Sequence, residues 1–200
     1  MSERERSLLL SVASDESQPA SERCDAARLL TMMMNDVKTC YVVEDCAGNA
    51  RFLQWLILPD GNDHLHRRFR DWYPVLHFDE ALMEFAYVFP KYRGTGVLPY
   101  AVELILEKAP RDVIKNIITL IPTHNRNSLR SFINMGFVPQ QVRIDTRRFG
   151  IPHRSIFSLQ SPDQVSALRQ RLPESVMHIL MKCAVERSNS EAAVTETQFN

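Results

Sequence analysis

Lys91-Tyr92-Arg93-Gly94-Thr95-Gly96-Val97-Leu98 places two glycines one residue apart, between a β-prone run at 82–89 and a helix-prone run at 97–109. Strand, glycine-bearing turn and helix in that order make an anion cradle. The first N–H groups of a helix have no intrahelical acceptor, and the macrodipole puts partial positive charge at that end. Phosphate groups bind there. Glycine lets the backbone curl and approach a ligand because no Cβ stands in the way. The amides of Arg93, Gly94, Thr95, Gly96, Val97 and Leu98 are therefore the predicted phosphate ligands, with the Arg93 side chain beside them.

A second constellation lies downstream: Asn125, Ser128, Phe132, Gly136 and Phe137, within Asn125-Arg126-Asn127-Ser128-Leu129-Arg130-Ser131-Phe132-Ile133-Asn134-Met135-Gly136-Phe137. Together the two runs resemble a family. Arg93-Gly94-Thr95-Gly96, preceded by Val88-x-Pro90-x-Tyr92, resembles the pyrophosphate-binding motif of GNAT N-acetyltransferases. The downstream run is similar to that family's pattern of Asn, small residue, aromatic and Gly-Phe. The resemblance covers about residues 40 to 160. Leu98 departs from it, standing where the family usually has Gly or Ala.

The resemblance implies an α/β fold, a mixed and mostly antiparallel sheet of six or seven strands with helices on both faces. It implies acetyl-CoA, or another acyl-CoA, as co-substrate in a V-shaped opening between the strands at 82–89 and 116–121. The pyrophosphate would sit in the cradle. The backbone of Ala86, Tyr87 and Val88 would pair with the pantetheine amides. Asn125 matches a position that contacts the pantetheine or holds a strand end, and it is equally a helix N-cap; Ser128 follows it as a cofactor-binding position. The implied reaction is acyl transfer to an amine, borne by a small molecule or a protein, through direct attack in a ternary complex.

An amine with a pKa near 10 is almost wholly protonated at neutral pH, so a general base must free it. Glu84 resembles the family's base, with Asp79 and Glu80 as neighbouring carboxylates. Period-2 alternation places Glu84 on a face with Leu82, Ala86 and Val88. The family commonly has a tyrosine as general acid where this chain has Phe132, which holds no proton to give. Three alternatives follow: Tyr100 or Ser128 acts, water acts, or the chain is a non-catalytic acyl-CoA-binding sensor or regulatory module.

Several elements must position these residues. Ser21 to Lys38 reads as a helix, and the apolar run at 8–13 as a short strand. Strand-like runs at 39–45 and 51–58 flank an Ala47-Gly48-Asn49 turn and read as a hairpin. The stretch from Asp63 to Asp79 is irregular and carries His64, His66, Arg67, Arg68, Arg70, Trp72, Tyr73 and His77. It reads either as a solvated basic loop or as a specificity element for an anionic acceptor. Its histidines have no convergent Cys or carboxylate motif, so no metal site is expected. A helix follows the cradle, then an apolar strand at 116–121, a helix capped by Asn125, and two strands at 137–144 and 155–159 joined by Gly150-Ile151-Pro152.

Residues 1–160 thus read as one acetyltransferase-like domain, 161–187 as a helical extension broken at Pro173, and 188–200 as a disordered tail. The apolar stripe of Leu168, Leu172, Val176, Ile179, Leu180 and Cys183 packs on the domain or offers a surface for a homodimer. Twenty-four basic and 24 acidic residues give zero net charge, so neither nucleic acid nor a membrane surface is an expected partner. Four cysteines without metal or disulfide spacing suit reduced thiols in a cytoplasm.

Overall fold

Residues 3–34 and 39–182 are described in the computed structural model of the chain. They divide into two compact units between Leu120 and Ile121.

The first unit begins with two helices, α1 (Glu3–Ser14) and α2 (Ala20–Met34). The apolar run at 8–13 is therefore helix and not strand. Glu5, Leu8, Leu9 and Val12 fall at i, i+3, i+4 and i+7, so one helical face carries them, with Leu9 fully buried. The expected end of α2 at Lys38 lies outside the described residues. Strands β1 (Cys40–Glu44) and β2 (Ala50–Ile57) form the expected hairpin. Asp45 Oδ1 closes its turn by accepting from the amides of Ala47 and Asn49. Helix α3 (Asn62–Phe69) occupies part of the stretch read as irregular, anchored by buried Leu65. The Asn62 side chain then pins the following loop through both backbone groups of Leu76, at 2.8 and 2.9 Å.

Next come β3 (Glu80–Val88), α4 (Val97–Lys108) and the short β4 (Asn116–Ile118). The sheet order is β1-β2-β3-β4; the first three are antiparallel, and β4 runs parallel to β3. Leu53, Trp55 and Ile57 of β2 face the core formed with α1, α2 and α3. Phe52 and Leu56 point the other way, towards α4, whose Val97, Ala101, Val102 and Ile105 are buried. Helices therefore cover both faces of this sheet. The strand expected at 116–121 keeps only three ladder residues and is half-exposed, because it is the edge of the sheet.

The second unit contains α5 (Arg126–Asn134), the hairpin β5 (Gln141–Arg148) and β6 (Ile151–Ser158), α6 (Pro162–Arg169) and a further helix, α7, over 174–182. The hairpin turns at Phe149-Gly150, with φ of 51° and 79°, rather than at Gly150-Ile151-Pro152. Two left-handed residues match the twist of a tight two-residue hairpin. Among the described residues there are thus six strands in sheets of four and two, where one sheet of six or seven was expected. Leu168, Val176, Ile179 and Leu180 are buried with Leu129, Val142 and Leu159, so the C-terminal stripe supplies this unit's own core. Cys183, the end of the helical extension at 183–187 and the tail at 188–200 lie outside the described residues. No helix among the described residues is long and apolar enough to cross a membrane.

Candidate functional site

The cradle is built as its glycines require. Gly94 and Gly96 have φ of 74° and 78°, the left-handed region that favours glycine, and Gly96 is the N-cap of α4. A Cβ on either would meet nothing within 4 Å, so these glycines serve backbone conformation beside open space. Arg93 N–H closes the preceding turn on Pro90 O at 3.3 Å. The amides of Gly94, Thr95, Gly96, Val97 and Leu98 find no acceptor among the described residues. Five unused donors thus gather at the positive end of a twelve-residue helix.

Three side chains lock this turn. Thr95 Oγ1 donates to Tyr92 O at 2.6 Å. Tyr92 O–H donates to Asp45 Oδ2 at 2.8 Å and ties the cradle to the β1–β2 turn. Hydrogen bonds from Asn49 and Tyr92 hold the Asp45 carboxyl well below its ordinary value, and that carboxylate raises the Tyr92 phenol. The Arg93 side chain is engaged with other parts of the chain. Its guanidinium makes a two-pronged pair with Glu22 of α2, Nη1 to Oε1 at 2.5 Å and Nη2 to Oε2 at 2.6 Å, while Nε donates to Val88 O. Arg93 also lies over the Tyr87 ring. So the side chain expected to assist a phosphate, and its amide, are both engaged within the chain. Burial, with Glu22 nearby, pushes the Tyr87 phenol up to about 12.

The strand leading into the cradle is open on one side. β4 pairs with β3 only from Glu80↔Asn116 to Leu82↔Ile118, so beyond Leu82 that edge of β3 carries no strand among the described residues. On the other side β3 bulges. Leu53 faces Tyr87 and Trp55 faces Glu84, leaving Phe85 and Ala86 opposite the single residue Gln54. Phe85 sits at φ 58°, a conformation that costs a non-glycine residue about 1–2 kcal/mol. The bulge reverses the alternation. Glu84 shares the α1–α2 face with Leu82 and Trp55, whereas Ala86 and Val88 lie on the α4 face, which corrects the expectation of one shared face. Tyr87 is buried and Ala86 is exposed.

Glu84 is a buried carboxylate whose Oε1 accepts from Leu120 N–H at 2.7 Å. It thereby reaches across where β3 and β4 stop pairing. Asp79 and Glu80 lie at the start of the same strand. The Asp79 carbonyl accepts from the amides of Lys115 and Asn116, and the Glu80 carboxylate accepts from His77 N–H. Tyr100 is more than half exposed on the first turn of α4.

Gln54 was not singled out in the sequence. It has no accessible surface, and neither Oε1 nor Nε2 has a partner among the described residues. Leaving a buried polar group unpaired costs about 1–3 kcal/mol. Its sequence signal was available: it is the one polar residue in the apolar run from Phe52 to Ile57.

The second motif lies in the second unit. Asn125 caps α5, its Oδ1 accepting from Ser128 N–H at 3.1 Å. Phe132 is 2% exposed and packs edge-on against Phe137, with ring centroids 5.1 Å apart. Gly136, at φ 93°, ends α5 with Phe137 N–H on Phe132 O and its own N–H on Ile133 O. That is the paired Schellman closure. A cofactor role for Asn125 and Ser128 rests on the motif resemblance.

No family model matches the chain, and no curated protein matches it in sequence. Solved structures do match. One, provisionally assigned as a phosphinothricin N-acetyltransferase, is 20% identical with a TM-score of 0.51, covering 78% of this chain and 92% of its own. A provisionally assigned acetyltransferase from Bacillus subtilis is 16% identical with a TM-score of 0.48, covering 74% and 96%. AAC(6')-Iy, solved with the bisubstrate analog CoA-S-monomethyl-acetylneamine, is 13% identical with a TM-score of 0.46, covering 73% and 90%. The chain has the GNAT N-acetyltransferase fold. At these identities the likeness is one of fold.

Proposed function

We propose that this chain transfers an acyl group from acetyl-CoA, or a related acyl-CoA, to the nitrogen of an amine by direct attack in a ternary complex. One observation carries the reading: five unused amides, Gly94 to Leu98, stand at a helix start beside a strand edge with no neighbour. That donor set suits a pyrophosphate. The open edge at Ala86, Tyr87 and Val88 suits an extended amide chain added as a strand. The co-substrate supplies an activated thioester. Glu84 is the proposed acceptor of the amine proton, from a position one residue before the bulge. Burial pushes the Cys40 thiol up to about 12, which leaves that residue a poor nucleophile for an acyl-enzyme. The acceptor is an amine on a small molecule or a protein, met in the cytoplasm.

Phe132 favours a second reading. A buried phenylalanine packed on Phe137 offers no proton to a leaving thiolate, which suits a module that binds acyl-CoA without turning it over. Calorimetric titration of the full chain with acetyl-CoA, beside a Gly94→Glu/Gly96→Glu variant, tests both. Saturable binding lost in the variant supports the cradle. Release of CoA with any member of an amine panel supports the enzyme, and binding without release supports the sensor. A folded chain that binds neither acetyl-CoA nor longer acyl-CoAs overturns both.

A further inference from the structure

The β5–β6 hairpin reaches past its own core. Val142, Ile144 and Phe157 pack in the core of the second unit. Phe149 lies five residues beyond Ile144, so it stands about 15 Å further along the strand. There the Phe149 ring is fully exposed, and Ile151 is 68% exposed. Phe149 also sits at φ 51°, in the left-handed region where a residue with a Cβ is strained. A tight turn of this kind favours Asn-Gly, yet the chain has Phe149-Gly150. A large apolar side chain thus occupies a costly backbone position with no packing to offset it. Such a side chain marks a contact made outside the folded chain.

Charge narrows what that contact is. The chain is neutral as a whole, but the hairpin is not: Arg143, Arg147, Arg148 and Arg154 stand against the single Asp145. Asp145 is already paired with Arg143 at 3.2 Å and with Arg154 at 2.8 Å. No acidic residue follows until Asp163. The register sets Arg147 opposite Pro152 and Thr146 opposite His153, directly behind the apolar tip. Size narrows it further. A phenylalanine ring offers about 150–250 Å². Even with Ile151 added, the tip falls far short of the about 800 Å² that each partner of a stable protein interface buries. A bilayer needs no matching pocket. Apolar side chains enter its headgroup–acyl boundary to about 5–10 Å, and cations beside them meet anionic headgroups.

We propose that the β5–β6 hairpin is a membrane-surface anchor: Phe149 and Ile151 enter the headgroup–acyl boundary of an anionic bilayer, and Arg147 beside them meets its charged headgroups. The inference stands apart from the acyl-transfer reading and uses no residue of the cradle.

Co-sedimentation of the full chain with vesicles tests it, using phosphatidylcholine alone and phosphatidylcholine with about 30% phosphatidylserine. The wild type is expected to sediment with the mixed vesicles only, and about 1 M salt is expected to release it. Phe149→Asn removes the ring and gives the turn its favoured Asn-Gly pair. It is expected to weaken vesicle binding about tenfold while the unfolding temperature stays level or rises. Ile151→Thr, which keeps a β-branched residue in the strand, is expected to weaken binding about threefold, and Arg147→Gln about fivefold. Wild-type binding in both Phe149→Asn and Ile151→Thr overturns the inference, because charge alone would then hold the vesicle. Equal binding to the two vesicle types overturns it as well. So does a wild type that stays in solution beside the mixed vesicles; if Phe149→Asn then turns a dimeric chain monomeric, the tip is a contact between copies instead. A wild type that binds vesicles but no acyl-CoA overturns the proposed function and leaves the anchor standing.

Discussion

The turn from Phe89 to Leu98 and the helix from Asn125 to Phe137 both carry motif residues, and both use a positive-φ glycine at a helix end. They differ in how many of their hydrogen-bonding groups they use within the chain. In the second, Asn125 serves the helix start, the amides of Gly136 and Phe137 serve its end, and Phe132 fills the core. In the first, side chains from β1–β2, α2 and the turn itself fix the backbone, yet five amides find no acceptor among the described residues. Exposed donors of this kind at a helix start are open to a ligand or to water. Rigid framing around unused donors is the arrangement expected of a preorganised binding site.

The sharpest way to break this comparison is to give both helix ends the same insult. Gly96→Glu and Gly136→Glu each place a charged side chain where φ is positive and space is open. Each is expected to lose about 1 kcal/mol of stability from the left-handed backbone. Only Gly96→Glu is expected to lose acetyl-CoA binding, by at least about a hundredfold, because like charges face each other at the cradle. Comparable binding loss in both variants breaks the contrast.

Glu84 sharpens it next. Glu84→Gln keeps an oxygen that can accept from Leu120 N–H but removes the base. If Glu84 takes the amine proton, kcat falls about a hundredfold with acetyl-CoA affinity unchanged. If Glu84 only bridges β3 and β4, the glutamine variant keeps its rate, and Glu84→Ala loses stability instead.

How far these sites were legible follows from the range of their interactions. The cradle was readable because two glycines, a strand and a helix follow one another within residues 82–109. Gly136 was readable as a helix stop for the same reason. The run at 8–13 was misread because a short apolar stretch suits a strand or a helix, and only the burial of Glu5 with Leu9 selects the helix. The bulge was hidden: Phe85-Ala86 holds neither glycine nor proline, and missing it put Ala86 and Val88 on the face of Glu84. The Glu22–Arg93 pair joins residues 71 positions apart, and no local pattern announces it. Gln54 was visible as a lone polar residue, but its lack of a partner is a property of the packed chain.

A smaller effect tests the structural side. Asn125→Ala removes the cap of α5 and is expected to cost about 1 kcal/mol, read by chemical unfolding. Acetyl-CoA affinity is expected to hold. A binding loss beyond about threefold would mean that Asn125 reaches the cofactor as well, and the second region would no longer be purely structural.

The smallest effect belongs to the pair that frames the cradle from α2. Hydrogen bonds from Arg93 hold the Glu22 carboxyl below its ordinary 4.5, and those bonds raise Arg93 in turn. A carboxyl lowered in the folded state stabilises above its unfolded pKa and loses that contribution as pH falls through the lowered value. The stability gap between wild type and Glu22→Gln should therefore be full at neutral pH and shrink as the solution becomes more acidic than about pH 4.5. Because the Arg93 side chain is 45% exposed, the gap should stay under about 1 kcal/mol and narrow further in about 1 M salt. The same substitution frees the guanidinium beside the cradle. If Arg93 then turns to the phosphates, acetyl-CoA binds more tightly in Glu22→Gln than in wild type; unchanged affinity would show that Arg93 only frames the turn.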